Sequence, residues 1–517
     1  MFDEQRPRRV VPRWRSSLLT AQTAEAKVAP PKTRPNFDVE VSAKQAEFMA
    51  TPSVPIASEM MFLANQTGDQ LAARRAAQVI VDAASTIGSV SLVAAAKRVL
   101  GASDVTTLEN PTTDFVREAR KILTIDYRNP ILLMDIARAL TAKGHEQSAK
   151  RYVRAAVSLA PNSRFIVRAA ARYYLHVGKN DIAHDILKKS PLLQHDSWIQ
   201  ASEIAVATVI GRTSVLPKSL IRATTNLKSV PPHLSELASA VATNEFLSGS
   251  TKTAKKLFQM ALIHPNDNSL AQAEWAARKL NLVVDEVALR TPLSFEANSN
   301  NAYRRLLLPE AIDFARQWAD DEPFASRPYD ALCYFYCLEG SDDKAKVAAE
   351  KAFAANGGNS LPLQMNLLFV NIQSGSLDLA YTDLLKLSRH QDAKKHAPHL
   401  LANAGALAYA VGESVLAKDY YQRAIAAARR AGEPGTEALA RAFFARAAAQ
   451  YGDPSAQEII LESTAAAERM GHPGAIYVVR SLVNSERRKA LELAAAKRVA
   501  KRRWEWDAAT NTLSRLG

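Results

Sequence analysis

ARALTAKGHEQSA (residues 137–149) and ARYYLHVGKNDIA (residues 171–183) carry one pattern twice, once around Gly144 and again around Gly178. In each, an alanine stands seven positions before a glycine and another alanine five positions after it, with a large residue, Leu140 or Tyr174, four positions before it. Small residues at these places let two helices approach closely, and the large ones fill the holes between them. Gly144 and Gly178 suit the left-handed turn that ends a helix. The first copy closes with Ala156 and Pro161. Each copy therefore reads as two antiparallel helices joined by a short turn, repeated so that one unit buries its apolar face on the next.

Further copies follow at Gly249 (with Ala254, Phe258 and Ala261), Gly340 (with Tyr329, Leu332, Cys333, Tyr336, Ala345 and Ala352), Gly375 (with Leu368, Ala380 and Leu384) and Gly412 (with Leu401, Gly405, Ala417, Tyr421 and Ala424). Ala311 and Pro323 precede Ala345 and Gly357 by the interval that separates Gly144 from Gly178, which places a degenerate copy ahead of the one at Gly340. This pattern resembles that of the tetratricopeptide repeat (TPR) family over residues 126–460. The resemblance implies an all-α solenoid of antiparallel helix pairs. Three stretches depart from it. Residues 195–233 hold Trp198 but no turn glycine in frame; the spacing after Gly340 lengthens at each step, to Gly375, to Gly412 and to Gly452; and Leu293–Asn301, with Asn298, Ser299, Asn300 and Asn301 in a row, reads as a linker without a first helix.

The chain has 517 residues, 47% hydrophobic and 23% charged, which suits several domains or a repeat array rather than one small core. Its net charge of +14 is concentrated at the ends: residues 1–44 hold nine Lys and Arg against five Asp and Glu, and residues 480–517 hold ten against four. The expected organisation is a disordered, basic, Pro-rich arm at 1–55, a helical cap at 56–125, TPR-like blocks at 126–290 and 291–470, and a basic C-terminal helix at 471–517. No apolar run approaches the roughly 18 residues of a membrane span, and residues 1–30 lack an apolar signal core, so the expected location is the cytoplasm.

Catalytic motifs are missing: the sequence has no glycine-rich phosphate loop, no G-x-S-x-G elbow and no H-E-x-x-H. Two cysteines exclude a disulfide framework and a four-thiolate zinc site. His390, His396 and His399 are closely spaced, but Lys394 and Lys395 would repel a cation and only Asp392 could help, so a solvated loop is the plainer reading. Cys333 and Cys337 share a helix face as a candidate redox or metal pair, yet Cys333 stands at a small-residue position of the repeat, where free cysteine packs as a small hydrophobe. Neither an enzyme, a cofactor nor a metal site is expected.

The resemblance implies that the first helix of each unit lines a concave groove. Carried onto the two best early units, the ligand-facing positions are Ile131, Met134, Arg138, Thr141 and Ala142, then Phe165, Arg168, Arg172, Leu175 and His176. Three arginines beside Met134 and Phe165 suit an acidic peptide with an apolar anchor, unless they form only a wet helix face. The corresponding later positions include Tyr334, Met365 and Phe369, a more apolar groove that an amphipathic helix, from a partner or from this chain itself, would fill.

At the ends, Arg8, Arg9 and Arg13, and Lys501, Arg502 and Arg503 followed by Trp504, could grip phosphates and stack on bases. The alternative for the C-terminal segment is a helix capping the solenoid with its charges in water. Two functions therefore compete, ahead of a third, an enzyme of unfamiliar type in residues 56–125, which that segment's shortness and lack of histidine and cysteine disfavour. One is a non-catalytic scaffold holding a protein partner in one or both grooves. The other is a nucleic-acid-associated accessory subunit, with at most weak, sequence-independent binding through the basic ends, because no base-reading motif accompanies the charge.

Overall fold

The computed structural model describes residues 14, 35–67, 69–84, 90–101, 113–125, 127–226, 234–291, 293–355 and 360–484. Among the described residues every regular element is a helix and there is no strand, so the fold is an all-α array of TPR-like helix pairs. The chain divides into two compact units. One holds the described residues of Glu4–Asn298 together with Asp320–Phe324, and the other holds Ser299–Ala319 and the described residues of Ala325–Gly517.

The first unit contains α1 (Pro35–Ala50), α2 (Val54–Thr67), α3 (Gln70–Asp82), α4 (Val90–Val99), α5 (Thr113–Ile125), α6 (Pro130–Ala142), α7 (Glu146–Leu159), α8 (Arg164–His176), α9 (Asn180–Lys189), α10 (Ser197–Val209), α11 (Lys218–Thr225), α12 (Ser235–Leu247), α13 (Thr251–Ala261), α14 (Asp267–Leu280) and the single turn α15 (Glu286–Leu289). The division falls within α16 (Phe295–Arg304). The second unit is built from α17 (Leu308–Asp321) as far as Ala319, then α18 (Ser326–Glu339), α19 (Asp342–Ala355), α20 (Leu361–Gln373), α21 (Leu377–Ser388), α22 (Ala397–Ala410), α23 (Ser414–Arg430), α24 (Pro434–Gln450), α25 (Ala456–Met470) and α26 (Pro473–Val483).

Local chemistry sets the helix starts. The Asn129 side chain accepts from the Leu132 amide, with Pro130 fixing the first helical φ of α6, and Asp196 accepts from the amides of Trp198 and Ile199 at the head of α10. The glycines that the repeat pattern marks as turns, from Gly144 (φ 74°) to Gly412 (φ 90°), have positive φ. Within a pair the two helices differ in character. The outer helix α7 buries one stripe, Ala149, Val153 and Ala156, whereas the inner helix α6 is buried on almost every side. A helix that is apolar and buried all round has neighbours on its concave side as well as its convex side.

Several departures from the sequence reading have physical causes. Pro35–Ala50 is a helix inside the stretch expected to be an arm, and it opens with proline at the first helical position, where the missing N–H costs nothing. The pair in 195–233 does have a turn glycine, Gly211 (φ 67°), but it falls one position short of the interval set by Gly144 and Gly178. Residues 295–304 form α16 rather than a linker, and the Asn298 side chain, which the sequence marks as a loop residue, instead donates at 3.0 Å to the carbonyls of Leu289 and Ser294 just ahead of the helix. The turn after α16 is made by Leu306 at φ 63°, one such interval before Gly340, so a leucine holds the left-handed position that glycine takes in the other copies. The long spacing late in the chain comes from helices of 17 residues each, α23 and α24, and from a 3₁₀ turn at Ala393–His396.

Candidate interaction grooves

In the first unit, the residues assigned to the concave face lie on α6 and α8. Met134 and Phe165 are buried, at 0% and 5% exposure. Arg138, Arg168 and Arg172 follow one another along this face, and each meets an acceptor of this chain. Arg168 pairs with Glu236 of α12 at 2.5 Å. Glu236 also accepts from the amide groups of Asn266 at 2.9 Å and Asn268 at 3.1 Å. Burial pushes its carboxyl upward, opposed chiefly by the Arg168 charge. One turn earlier Arg164 pairs with Asp196 at 2.5 Å and stacks over the Trp198 ring at 4.4 Å. The Arg164 amide donates to Glu59 of α2, and Leu63 of α2 packs on Trp198. The N-terminal helices thus cover part of the face that the repeats alone would expose.

The remaining two arginines hold Asp320–Phe324. The Arg138 guanidinium donates to the Asp321 carbonyl. Arg172 lies 3.8 Å from the Glu322 carboxylate and 5.0 Å over the ring of Phe324. Phe324 is 1% exposed, with Trp14 at 5.3 Å and His176 at 5.6 Å between ring centroids. Trp14, also 1% exposed, meets Tyr173 edge-on at 5.9 Å. Burial and the Arg172 charge lower His176 to about 4, so its ring is neutral among these aromatics at neutral pH.

In the second unit, Tyr334, Met365 and Phe369 lie on α18 and α20. The Tyr334 and Tyr303 hydroxyls share a 2.8 Å hydrogen bond, and Tyr303 also accepts from the Gly474 amide at the head of α26 at 3.0 Å. A Cβ at Gly474 would lie 2.2 Å from the Tyr334 hydroxyl, so the close approach requires glycine. Met365 is buried, and its carbonyl accepts from Asn403 at 3.2 Å. Phe369 packs edge-on against Phe443 of α24 at 5.2 Å; the Arg446 guanidinium lies 4.5 Å over Phe443 and donates to the Cys337 carbonyl. Helices α24 and α26 of this same unit therefore occupy the surroundings of these three residues.

The other sequence candidates are placed as follows. Cys333 and Cys337 are both buried in α18; the neighbouring Cys337 thiol and burial push the Cys333 thiol well up, away from reactive thiolate. Among the described residues no group of three His, Cys, Asp or Glu side chains is arranged to hold a metal ion, and no helix is long and apolar enough to cross a membrane. His396 and His399 have ring centroids 6.3 Å apart, and burial lowers His399 to about 3. Arg8, Arg9, Arg13, Lys501, Arg502, Arg503 and Trp504 lie outside the described residues.

Sequence reasoning missed the acceptors: Glu236, Asp196, Asp321, Glu322 and the Phe324 anchor. A signal for the last three was present. Asp320–Asp321–Glu322–Pro323–Phe324 is itself an acidic segment with an apolar anchor, the chemistry read from the arginines, whereas the repeat register uses Pro323 only as a marker.

No family model matches the chain, and no curated protein matches it. Among solved structures, it is similar to the APC/C hetero-tetramer Cut9–Hcn1 (14% identity over 92% of this chain and 98% of that one, TM-score 0.32). It is also similar to a human IFIT1 dimer with PPP-AAAA (13% identity, 80% and 100%, TM-score 0.32). A third likeness is to Naa15/Naa10 bound to HypK-THB (12% identity, 93% and 83%, TM-score 0.24). The helices themselves define the class: an α-helical repeat protein of TPR-like pairs.

Proposed function

We propose that the chain is a non-catalytic interaction scaffold that holds a protein partner through the inner helices of its TPR-like repeats. In the first unit Arg138 and Arg172 are the recognising groups, with buried Met134 and Phe165 and the Glu236-paired Arg168 supporting the face from beneath; in the second the corresponding residues are Tyr334, Met365 and Phe369, around which α24 and α26 pack. The observation that carries the proposal is that Arg138 and Arg172 already hold an acidic segment ending in a phenyl ring. Guanidinium groups on rigid helices suit carboxylates and carbonyls, and a buried aromatic anchor supplies the apolar area.

The test is quantitative affinity purification with the unaltered chain and with Arg138→Ser/Arg172→Ser. Arg168 is kept, because removing it would strand buried Glu236 at a cost of about 3 to 5 kcal/mol. The expected result is loss of a discrete set of proteins with an unchanged circular dichroism spectrum. The same proteins recovered in the same amounts would contradict the proposal.

A further inference from the structure

We propose that Asp320–Phe324 is an internal ligand of the arginine face on α6 and α8, and that a partner's segment of the same chemistry, carboxylates followed by an aromatic residue, takes its place. This rests on the scaffold reading and specifies the partner's chemistry. The five residues are grouped with Glu4–Asn298 by compactness, although they are distant from α6 and α8 in sequence. Asp320 and Asp321 end α17, Glu322–Phe324 follow it, and together they meet the face through three contacts. A backbone carbonyl accepts from Arg138, a carboxylate faces Arg172, and a ring sits under the Arg172 guanidinium among Trp14 and His176.

Each contact has a separate chemical requirement. The carbonyl contact is available to any peptide, so it positions without selecting. The Glu322 contact selects for negative charge. The Phe324 site selects for a flat apolar ring, since its walls are aromatic and the cation above it prefers a π face. Glu322 and Phe324 are separated by Pro323, which fixes φ and limits the freedom lost when both side chains are seated. The resulting motif is an acidic residue, then proline, then phenylalanine.

A short flexible tether gives an effective concentration on the order of millimolar, and a segment held between α17 and α18 competes at least as strongly, so a free peptide of equal intrinsic affinity binds the unaltered chain poorly. Weakening the internal segment removes that competition and raises the apparent affinity by the inverse of the open fraction. The face therefore behaves as a gated site, selective for a partner that binds more strongly than Asp320–Phe324 does.

The experiment uses a fluorescein-labelled peptide Ala-Asp-Asp-Glu-Pro-Phe-Ala-Ser, the chain's own residues 319–326, and fluorescence anisotropy on the full chain. The variant Glu322→Gln/Phe324→Ala is expected to bind it at least tenfold more tightly than the unaltered chain. Adding Arg172→Gln to that variant removes the gain, as does replacing the phenylalanine of the peptide by alanine. Equal affinity for variant and unaltered chain, or no binding by a variant with unchanged circular dichroism, overturns the inference. If Phe324→Ala unfolds the chain, Glu322→Gln alone decides the matter, because it keeps the ring and weakens only the charge contact; an affinity it leaves unchanged overturns the inference. Failure of the peptide to bind leaves the scaffold reading to its own test, the partner set lost with Arg138→Ser/Arg172→Ser.

Discussion

Gly405→Ala isolates the close helix crossing on which the repeat assignment depends. Gly405 lies in α22, facing α23, and a Cβ built there would stand 2.6 Å from Cδ2 and 2.9 Å from Cε2 of Tyr421. Two opposing effects have known sizes. In a helix interior, alanine is preferred to glycine by about 0.8 to 1.0 kcal/mol. Against this, overpacking a tight core costs about 1 to 3 kcal/mol. The upper part of that range applies, because Tyr421 is 1% exposed and is held by stacking on Phe444 at 4.9 Å between centroids. The net expectation is destabilisation of about 1 to 2 kcal/mol, read as a lower urea midpoint at unchanged slope. The sign decides the matter. A variant stabilised by up to about 1 kcal/mol would show that only helix propensity operates at 405, and that α22 and α23 do not cross there.

Two further predictions concern buried polar groups. Asp453 is 6% exposed and accepts from Lys418, Ser455 and Tyr409; burial opposes its ionisation, but these donors hold the carboxyl below its usual range. Asp453→Ala is expected to lower stability by about 2 to 3 kcal/mol in urea unfolding, because the Tyr409 hydroxyl and the Lys418 ammonium lose their acceptor. His176 and His399 are lowered to about 4 and about 3 by burial, so each is neutral in the folded chain and protonates from near 6.5 when unfolded. Their stabilising contribution is present above pH 6.5 and is lost as pH falls, by up to about 2 kcal/mol each at pH 5. Replacing either histidine by glutamine should flatten the melting-temperature profile between pH 7 and pH 5, and an unchanged slope would contradict the enclosed neutral rings.

Much of the array is legible in the sequence because its demands are local. A left-handed turn asks for glycine and a close crossing asks for alanine, so Gly144, Gly178, Ala149 and Ala183 announce themselves at fixed offsets. Where another residue meets the same demand the signal fails, as with Leu306 at φ 63°. A slip of one position hides Gly211 in a similar way. Charge and proline content conceal helix α1, although Pro35 at its first position is a start signal. The groove is half legible. The arginine stripe follows from repeat register, but its acceptors do not: Arg168 finds Glu236 across 68 residues, and Arg138 finds the Asp321 carbonyl across 183. Such pairings are set by how distant helices come together, which no local spacing encodes.

Hydroxyl-radical footprinting of the unmodified full chain tests the central claim, that this chain itself fills its arginine face. Phe324 and Trp14 are each 1% exposed there, whereas Tyr127 on the surface is 70% exposed. The account predicts that Phe324 is oxidised at least tenfold more slowly than Tyr127 and that Trp14, despite an intrinsically reactive indole, is also protected. Oxidation of Phe324 at a rate matching Tyr127 would mean that the face is open and that Asp320–Phe324 is not its occupant.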